Sequence, residues 1–131
     1  MGEKTLSAFS LKKTERILKR ADFKRLSKYG ARIQKDHFLI VYSRNRFGNL
    51  RLGVTASRKV GSAVVRNRIK RLVRERFRLS KALFNNSYDI HVIARPGAAS
   101  LSSQEISQVL EDMFCEIARG YKHEGNTSNT H

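Results

Sequence analysis

The segment from Ser57 to Arg78, SRKVGSAVVRNRIKRLVRERFR, most restricts how this chain folds, because it is strongly basic and yet carries regularly spaced apolar residues. It holds nine Lys and Arg against one acid, Glu75. At 100° per residue, one arc of a helix collects the apolar side chains, namely Val65, Ile69, Leu72, Val73 and Phe77. The pattern predicts an amphipathic helix that begins after Ser62 as N-cap, runs to about Lys81 and packs on a sheet.

The opposite side of this predicted helix is polar and almost free of acids. It carries Asn67, Lys70, Arg71, Arg74 and Arg78. A solvated helix usually mixes both signs of charge, whereas arginines at helical spacing repel one another unless an anion is present. Arginine also offers a planar fork that grips phosphate with two hydrogen bonds. The helix N-terminus behind Arg58 and Lys59 adds backbone N–H groups to such a site. We therefore expect this face to bind phosphates.

The charge of the whole chain is one-sided. Residues 1–78 hold 23 Lys and Arg against five acids, a net charge of +18, while residues 79–131 have a net charge of −2. Such a field attracts a polyanion, and it favours nucleic acid over an anionic membrane surface. The sequence contains no 18-residue apolar run and no secretory signal, and its single cysteine, Cys115, fits a reducing compartment. We expect a cytoplasmic protein that does not bind membranes.

The remaining patterns predict an α+β fold with a single sheet and helices packed on it, in the order helix, strands, helix, strand, helix. The first helix, ADFKRLSKYG, is expected to be capped by Asp22 and to end at Gly30 in a left-handed turn. Strands HFLIVYSR and LRLGVTAS are expected to form a hairpin across RNRFGN, and YDIHVIARP is a further strand. A capping box, Ser102 with Glu105, begins the last helix, which should expose Cys115. One domain is expected over residues 1–122, with flexible tails at 1–15 and 123–131.

The segment RLGVTASRKVGSAVVRNRIKRLVRERFR, Arg51 to Arg78, closely resembles the signature of the bacterial ribonuclease P protein subunit, including its RNR motif at Arg66-Asn67-Arg68. The resemblance extends to ADFKRLSKYG and YDIHVIARP and covers about residues 15–119. It implies a fold like the second domain of ribosomal protein S5, with a left-handed β-α-β crossover around the basic helix. The usual rule for such crossovers predicts the opposite hand.

The resemblance also implies two RNA sites, one for the catalytic RNA of ribonuclease P and one for the 5′ leader of precursor tRNA. The residues expected to bind the catalytic RNA are Arg58, Lys59, Arg66, Asn67, Arg68, Lys70, Arg71 and Arg74. In the leader cleft, Phe23 and Phe38 are expected to meet over one face of the sheet, with Lys24 and Arg32 beside the phosphates. Ser27 and Val41 stand where relatives often have aromatic residues. The alternative that both phenylalanines belong to the core stays open.

The sequence offers no residues for cleaving RNA. Its four histidines are dispersed, and its carboxylates form no visible pair for acid–base or metal chemistry. We therefore expect no catalytic residue, metal site or cofactor in the protein and no obligate protein partner. The resemblance implies that the RNA partner is the catalyst and requires Mg²⁺. A ribosomal or other structural RNA-binding protein is the alternative, which the RNR motif alone disfavours. DNA binding is disfavoured because the helix has few short side chains for reading bases.

Overall fold

A four-stranded sheet with three α-helices makes up the fold of residues 11–119, which the computed structural model describes. The strands are β1 (Ala31–Lys35), β2 (Phe38–Arg44), β3 (Arg51–Ala56) and β4 (Tyr88–Ala94). The helices are α1 (Arg20–Tyr29), α2 (Ala63–Ser80) and α3 (Ser103–Ala118), and short 3-10 helices lie at Lys13–Glu15, Lys81–Leu83 and Pro96–Ser100. The predicted α+β class and order of elements are confirmed. The expected tail at 123–131 and residues 1–10 lie outside the described residues.

The strands lie in the order β1-β2-β4-β3. β3 and β4 are parallel and are joined through α2, as in the crossover that the resemblance implies. The predicted hairpin between β2 and β3 is wrong, because β4 lies between them. The hairpin instead joins β1 and β2 across a turn in which Asp36 has φ 50°. An Asp tolerates this left-handed conformation better than most residues do.

The main core lies between the sheet and the two long helices. Alternate residues of β2 point into it, and so do Ile69, Val73 and Phe77 of α2, all three fully buried. The predicted apolar arc of α2 is therefore confirmed. From α3 the core receives Phe114, whose ring meets that of Phe77 at 6.2 Å between centroids in an edge-to-face arrangement. Burial of apolar side chains such as these is the dominant favourable contribution to folding.

The helix starts of α2 and α3 follow the sequence closely. Ser62 Oγ accepts a hydrogen bond from the Val65 N–H at 3.3 Å. In the capping box, the Glu105 N–H donates to Ser102 Oγ at 3.0 Å and the Ser102 N–H donates to Glu105 Oε1 at 2.9 Å.

Cys115, which was expected to face solvent, is half-buried on α3.

The ends of α1 differ from the prediction. Asp22 does not cap the helix; it lies in the first turn, buried, and pairs with Arg51 of β3. Gly30 has an extended backbone, with φ −74° and ψ 155°, so no left-handed turn ends the helix. A Cβ there would approach Leu26 O to 2.6 Å and a Val41 methyl to 2.8 Å. The glycine is thus needed for close packing of α1 on the sheet.

Candidate RNA interface

The outer face of α2 carries the basic residues that the sequence predicted there. Asn67 and Arg71 are exposed there, and Lys70 and Arg74 are half-buried. Arg58 and Lys59 precede the helix and are both exposed. Within residues 11–119, none of these basic side chains forms an ion pair with an acid. Their charge is therefore available to a partner.

Several basic residues elsewhere in the fold are paired with acids. Lys35 pairs with Asp112 at 2.9 Å, and Arg76 pairs with Glu111 at 3.0 Å. Arg76 lies half-buried at the edge of the apolar arc, so its pair also joins α2 to α3. These paired residues hold elements together, whereas the cations on the outer face of α2 have no acidic partner in residues 11–119, as expected for a surface that contacts phosphates.

The two arginines of the RNR motif have different surroundings, although both are half-buried. Arg68 donates a hydrogen bond from Nη2 to the Leu101 carbonyl oxygen at 3.0 Å, and so contacts the segment that leads into α3. The Nε of Arg66 is buried and has no hydrogen-bond partner among the described residues. Arg68 therefore also supports the fold, through a contact that Arg66 does not make.

The opposite face of the sheet carries a second site beneath α1. In one row across the sheet lie Arg32, Val41, His91 and Gly53, on β1, β2, β4 and β3 in turn. Phe23 of α1 lies over this row: a Cβ on Gly53 would overlap its ring, and its ring meets that of His91 at 4.7 Å in an edge-to-face arrangement. Phe23 and His91 are each half-buried, so part of both rings is accessible.

His91 is the residue of this site that the sequence reasoning missed. Its Nε2 lies 2.7 Å from Thr55 Oγ1 on the neighbouring strand. Burial lowers the pKa of His91 below its ordinary value, which favours the neutral ring near pH 7. Alternation along β4 could have found it, because His91 must face away from Ile90 and Val92, which enter the main core.

Phe38 does not belong to this site, and the expectation that it meets Phe23 over one face is wrong. Phe38 is 0% exposed and lies in the main core, on the other side of the sheet. Because strand residues alternate between faces, Leu39 and Val41 of β2 point towards α1 while Phe38 points towards α2 and α3. Of the expected leader residues, Phe23 lies on the α1 side, and Lys24 and Arg32 are exposed beside it.

The positions that resemble aromatic sites in relatives also differ in accessibility. Val41 is 1% exposed and forms a small core with Ile17 and Leu26. Ser27 is exposed on α1, and its carbonyl oxygen accepts a hydrogen bond from Arg32 Nη2 at 2.7 Å. The accessible aromatic surface of this face therefore comes from Phe23 and His91.

Comparison with known proteins identifies the family. The family model described as Ribonuclease P matches residues 11–118. This chain belongs to the ribonuclease P protein family. It is therefore the protein component of a ribonucleoprotein endoribonuclease that acts in tRNA processing.

Two relatives show the extent of the similarity. The ribonuclease P protein component of Desulforapulum autotrophicum is 42% identical over 114 residues, which cover 87% of this chain and 97% of the relative. That of Syntrophus aciditrophicus is 43% identical over 105 residues, covering 80% and 88%.

Solved structures agree with the architecture. The ribonuclease P protein of Staphylococcus aureus matches with a TM-score of 0.71 and 38% identity, covering 75% of this chain and 90% of that one. The protein of Thermotoga maritima matches with a TM-score of 0.71 and 31% identity, covering 78% and 96%.

The described part of this ribonuclease P protein offers groups suited to binding. No cluster of three or more His, Cys, Asp or Glu side chains within residues 11–119 is arranged to hold a metal ion. No helix in the same range is long and apolar enough to cross a membrane. The arrangement supplies unpaired cations on α2 and a mixed aromatic and basic surface beneath α1.

Proposed function

We propose that this ribonuclease P protein binds the catalytic RNA through the outer face of α2 and holds the 5′ leader of precursor tRNA on the α1 side of the sheet. The observation that carries the proposal is the set of unpaired cations on α2. Elsewhere the fold pairs its half-buried arginines and lysines with acids, so leaving this face unpaired disfavours the free protein unless an anion binds.

On the α2 face, recognition is by phosphate contact. Arg58, Lys59, Arg66, Asn67, Arg68, Lys70, Arg71 and Arg74 follow one another along the loop and helix. Each phosphate that they neutralise releases counterions, so affinity should fall steeply as salt rises. The arginine forks additionally orient the protein on the RNA backbone because they bind phosphate with two hydrogen bonds.

On the α1 side, we propose that an unpaired leader base stacks on the accessible parts of Phe23 and His91. Base–aromatic stacking tolerates any sequence, as is required for leaders that differ between tRNAs. Arg32 lies two strands from His91 in the same row, which is about 10 Å, and Lys24 is exposed on α1. These cations would neutralise leader phosphates on either side of the stacked base.

We assign the cleavage chemistry to the RNA partner with its Mg²⁺ ions. The protein contributes affinity for substrate, and it lowers the Mg²⁺ requirement by neutralising RNA phosphates in place of ions. We propose that the protein acts in the cytoplasm and needs no second protein. Its single cysteine and the absence of a membrane-spanning helix in residues 11–119 are compatible with this location.

Reconstitution tests the proposal. Added to bacterial ribonuclease P RNA at low Mg²⁺, the protein should restore cleavage of precursor tRNA, and Arg71→Ala should weaken binding to that RNA. Lys35→Ala is the matched control, because it also removes an exposed cation, but one that lies at the β1 edge of the sheet and is paired with Asp112 of α3. A protein that binds the RNA without stimulating cleavage would instead be a structural RNA-binding protein.

A further inference from the structure

The loop between β2 and β3, residues 45–50, exposes an aromatic ring on a rigid support. Phe47 is 60% exposed, which is unusual for phenylalanine. Its N–H donates to Asn45 Oδ1 at 2.9 Å, and Asn45 Nδ2 donates to Asn49 O at 3.1 Å and to Asp89 Oδ1 at 2.8 Å. These hydrogen bonds hold the loop against β4, so the exposed ring projects from an ordered backbone.

A cation also holds the ring in place. The guanidinium carbon of Arg51 lies 4.1 Å from the centroid of Phe47, within cation–π distance. Arg51 is itself fixed by two hydrogen bonds to Asp89, at 2.8 and 2.7 Å. The ring is therefore oriented before any ligand arrives, so less conformational entropy is lost on binding.

Beside Phe47 lies a groove of about 360 Å³ whose lining contains no acid. Lys13, Arg16 and Lys19 line it, with the exposed Leu18 and with Asn49. The nearby acid, Glu15, pairs with Lys81 and so does not neutralise the groove. On the other side of Phe47, Asp22 and Asp89 are present, but both pair with Arg51. An exposed aromatic ring beside unpaired cations matches the base and phosphate of a single-stranded nucleic acid.

The position of the groove indicates which RNA would reach it. Lys19 directly precedes α1, the helix that carries Phe23. From Arg51, which supports Phe47, two residues along β3 lead to Gly53 beneath Phe23, a distance of about 7 Å. α2 begins after the opposite end of β3, so its first turns lie away from Phe47. The groove is thus adjacent to the proposed leader site and away from the start of α2.

We propose that Phe47 stacks on a second unpaired nucleotide of the 5′ leader, whose phosphates contact Lys13, Arg16 and Lys19. This inference rests on the proposed function, because it extends the leader site beneath α1. Arg51 links the two stacking positions, since it supports Phe47 and also contacts Asp22 on α1 at 3.4 Å.

The test compares precursor tRNA with and without a leader in the assembled holoenzyme. Phe47→Ala should weaken binding of the leader-bearing substrate about 5- to 150-fold, the range for loss of one base–aromatic stack, and leave binding of the leaderless substrate unchanged. Phe47→Tyr should restore the affinity, and Phe47→Leu should not. Tyr29→Ala, which removes another exposed aromatic ring at the far end of α1, is the control and should have no comparable effect.

Three outcomes would overturn the inference: wild-type affinity in Phe47→Ala, equal loss for both substrates, or loss of affinity for the catalytic RNA alone. Phe23→Ala measured in parallel separates the inference from the proposed function. If Phe23→Ala weakens binding of the leader-bearing substrate and Phe47→Ala does not, the second stacking position is wrong and the proposed function stands. If neither variant weakens that binding, the leader binds at neither site. Thermal melting of Phe47→Ala should be nearly unchanged, since the ring is mostly exposed.

Discussion

Arg51 of β3 donates two hydrogen bonds to Asp89 of β4, from Nε to Oδ1 at 2.8 Å and from Nη2 to Oδ2 at 2.7 Å. The hydrogen bond to Asp89 raises the pKa of Arg51 further above its ordinary value. Asp22 of α1 lies 3.4 Å from the same Nη2, so the arginine connects two parallel strands and a helix. All three side chains are largely buried, and together they fix α1 on the sheet and the Phe47 loop at its end.

Removing the arginine should therefore destabilise the fold strongly. Arg51→Ala leaves the buried Asp89 without a cation and Asp22 with only Arg25, at 3.5 Å. Breaking a buried pair in this way costs about 3–5 kcal/mol. Arg51→Lys should recover part of the loss, because it restores the charge but not the bidentate geometry. Urea unfolding measures both. Lys35→Ala, which breaks an exposed pair, is the control and should cost less than about 1 kcal/mol. Equal effects of Arg51→Ala and Lys35→Ala would show that the buried network contributes little.

Stability should also depend on pH through His91. Because burial lowers its pKa in the folded protein, the unfolded chain binds the proton more tightly. The free energy of unfolding should therefore be largest above the unfolded pKa of about 6.5 and fall as pH decreases from there through the lower folded pKa. Protonation would also place charge beside Phe23 and Thr55.

His91→Asn tests this dependence by urea unfolding between about pH 5 and 8, and it should flatten the slope below about pH 6.5. His37→Asn is the control, since His37 is exposed in the β1–β2 turn, and it should retain the wild-type slope. If both variants kept that slope, another group would be responsible for it.

The helices were predictable because their signals are local. Ser62 and Ser102 cap where the sequence indicates, and the apolar arc of α2 follows from its spacing alone. The pairing of β2 with β4 is not local. The turn-forming residues at Gly48 and Asn49 predicted a hairpin, but a turn motif does not determine which strand lies next in the sheet.

The basic outer face of α2 was likewise visible in the sequence, because most of its cations lie on one helix. The α1 side of the sheet was not, because it assembles residues from four strands and a helix. Phe38 and Phe23 were both aromatic candidates, and only the register of β2 assigns them to opposite faces. Arg51 and Phe47 acquire their roles from contacts with β4 and α1, which no spacing along the chain reveals.

The RNR motif yields a prediction that separates binding from folding. Arg66→Ala and Arg68→Ala should each weaken binding of the catalytic RNA by about 1–3 kcal/mol, the value of a charge-assisted contact. Only Arg68→Ala should also lower the free energy of unfolding, by about 1–2 kcal/mol, because it alone loses a hydrogen bond to Leu101. RNA affinity at two salt concentrations and urea unfolding measure the two effects. Unchanged RNA affinity in either variant would contradict that residue's assignment.

The last prediction concerns Phe23, whose half-buried ring lies over Gly53. Truncating a residue that only fills the core lowers the free energy of unfolding. Phe38→Ala, at a fully buried position, should lower it by about 3–5 kcal/mol. Phe23→Ala should lower the free energy of unfolding by less than this. In the holoenzyme it should weaken binding of leader-bearing precursor tRNA more than binding of the leaderless substrate.

Gly53→Ala tests whether the position of the Phe23 ring matters. The added methyl overlaps the ring and must displace it while leaving the aromatic side chain present. If leader bases stack on Phe23 where it lies, Gly53→Ala should reproduce the leader-specific loss of Phe23→Ala. Thr55→Ser is the control, because it changes a side chain on the same strand while keeping the hydroxyl beside His91 and leaving the Phe23 position over Gly53 untouched. Affinity for both substrates and thermal melting are measured together. A displaced ring with full leader affinity would assign leader binding on this face to its cations, Lys24 and Arg32.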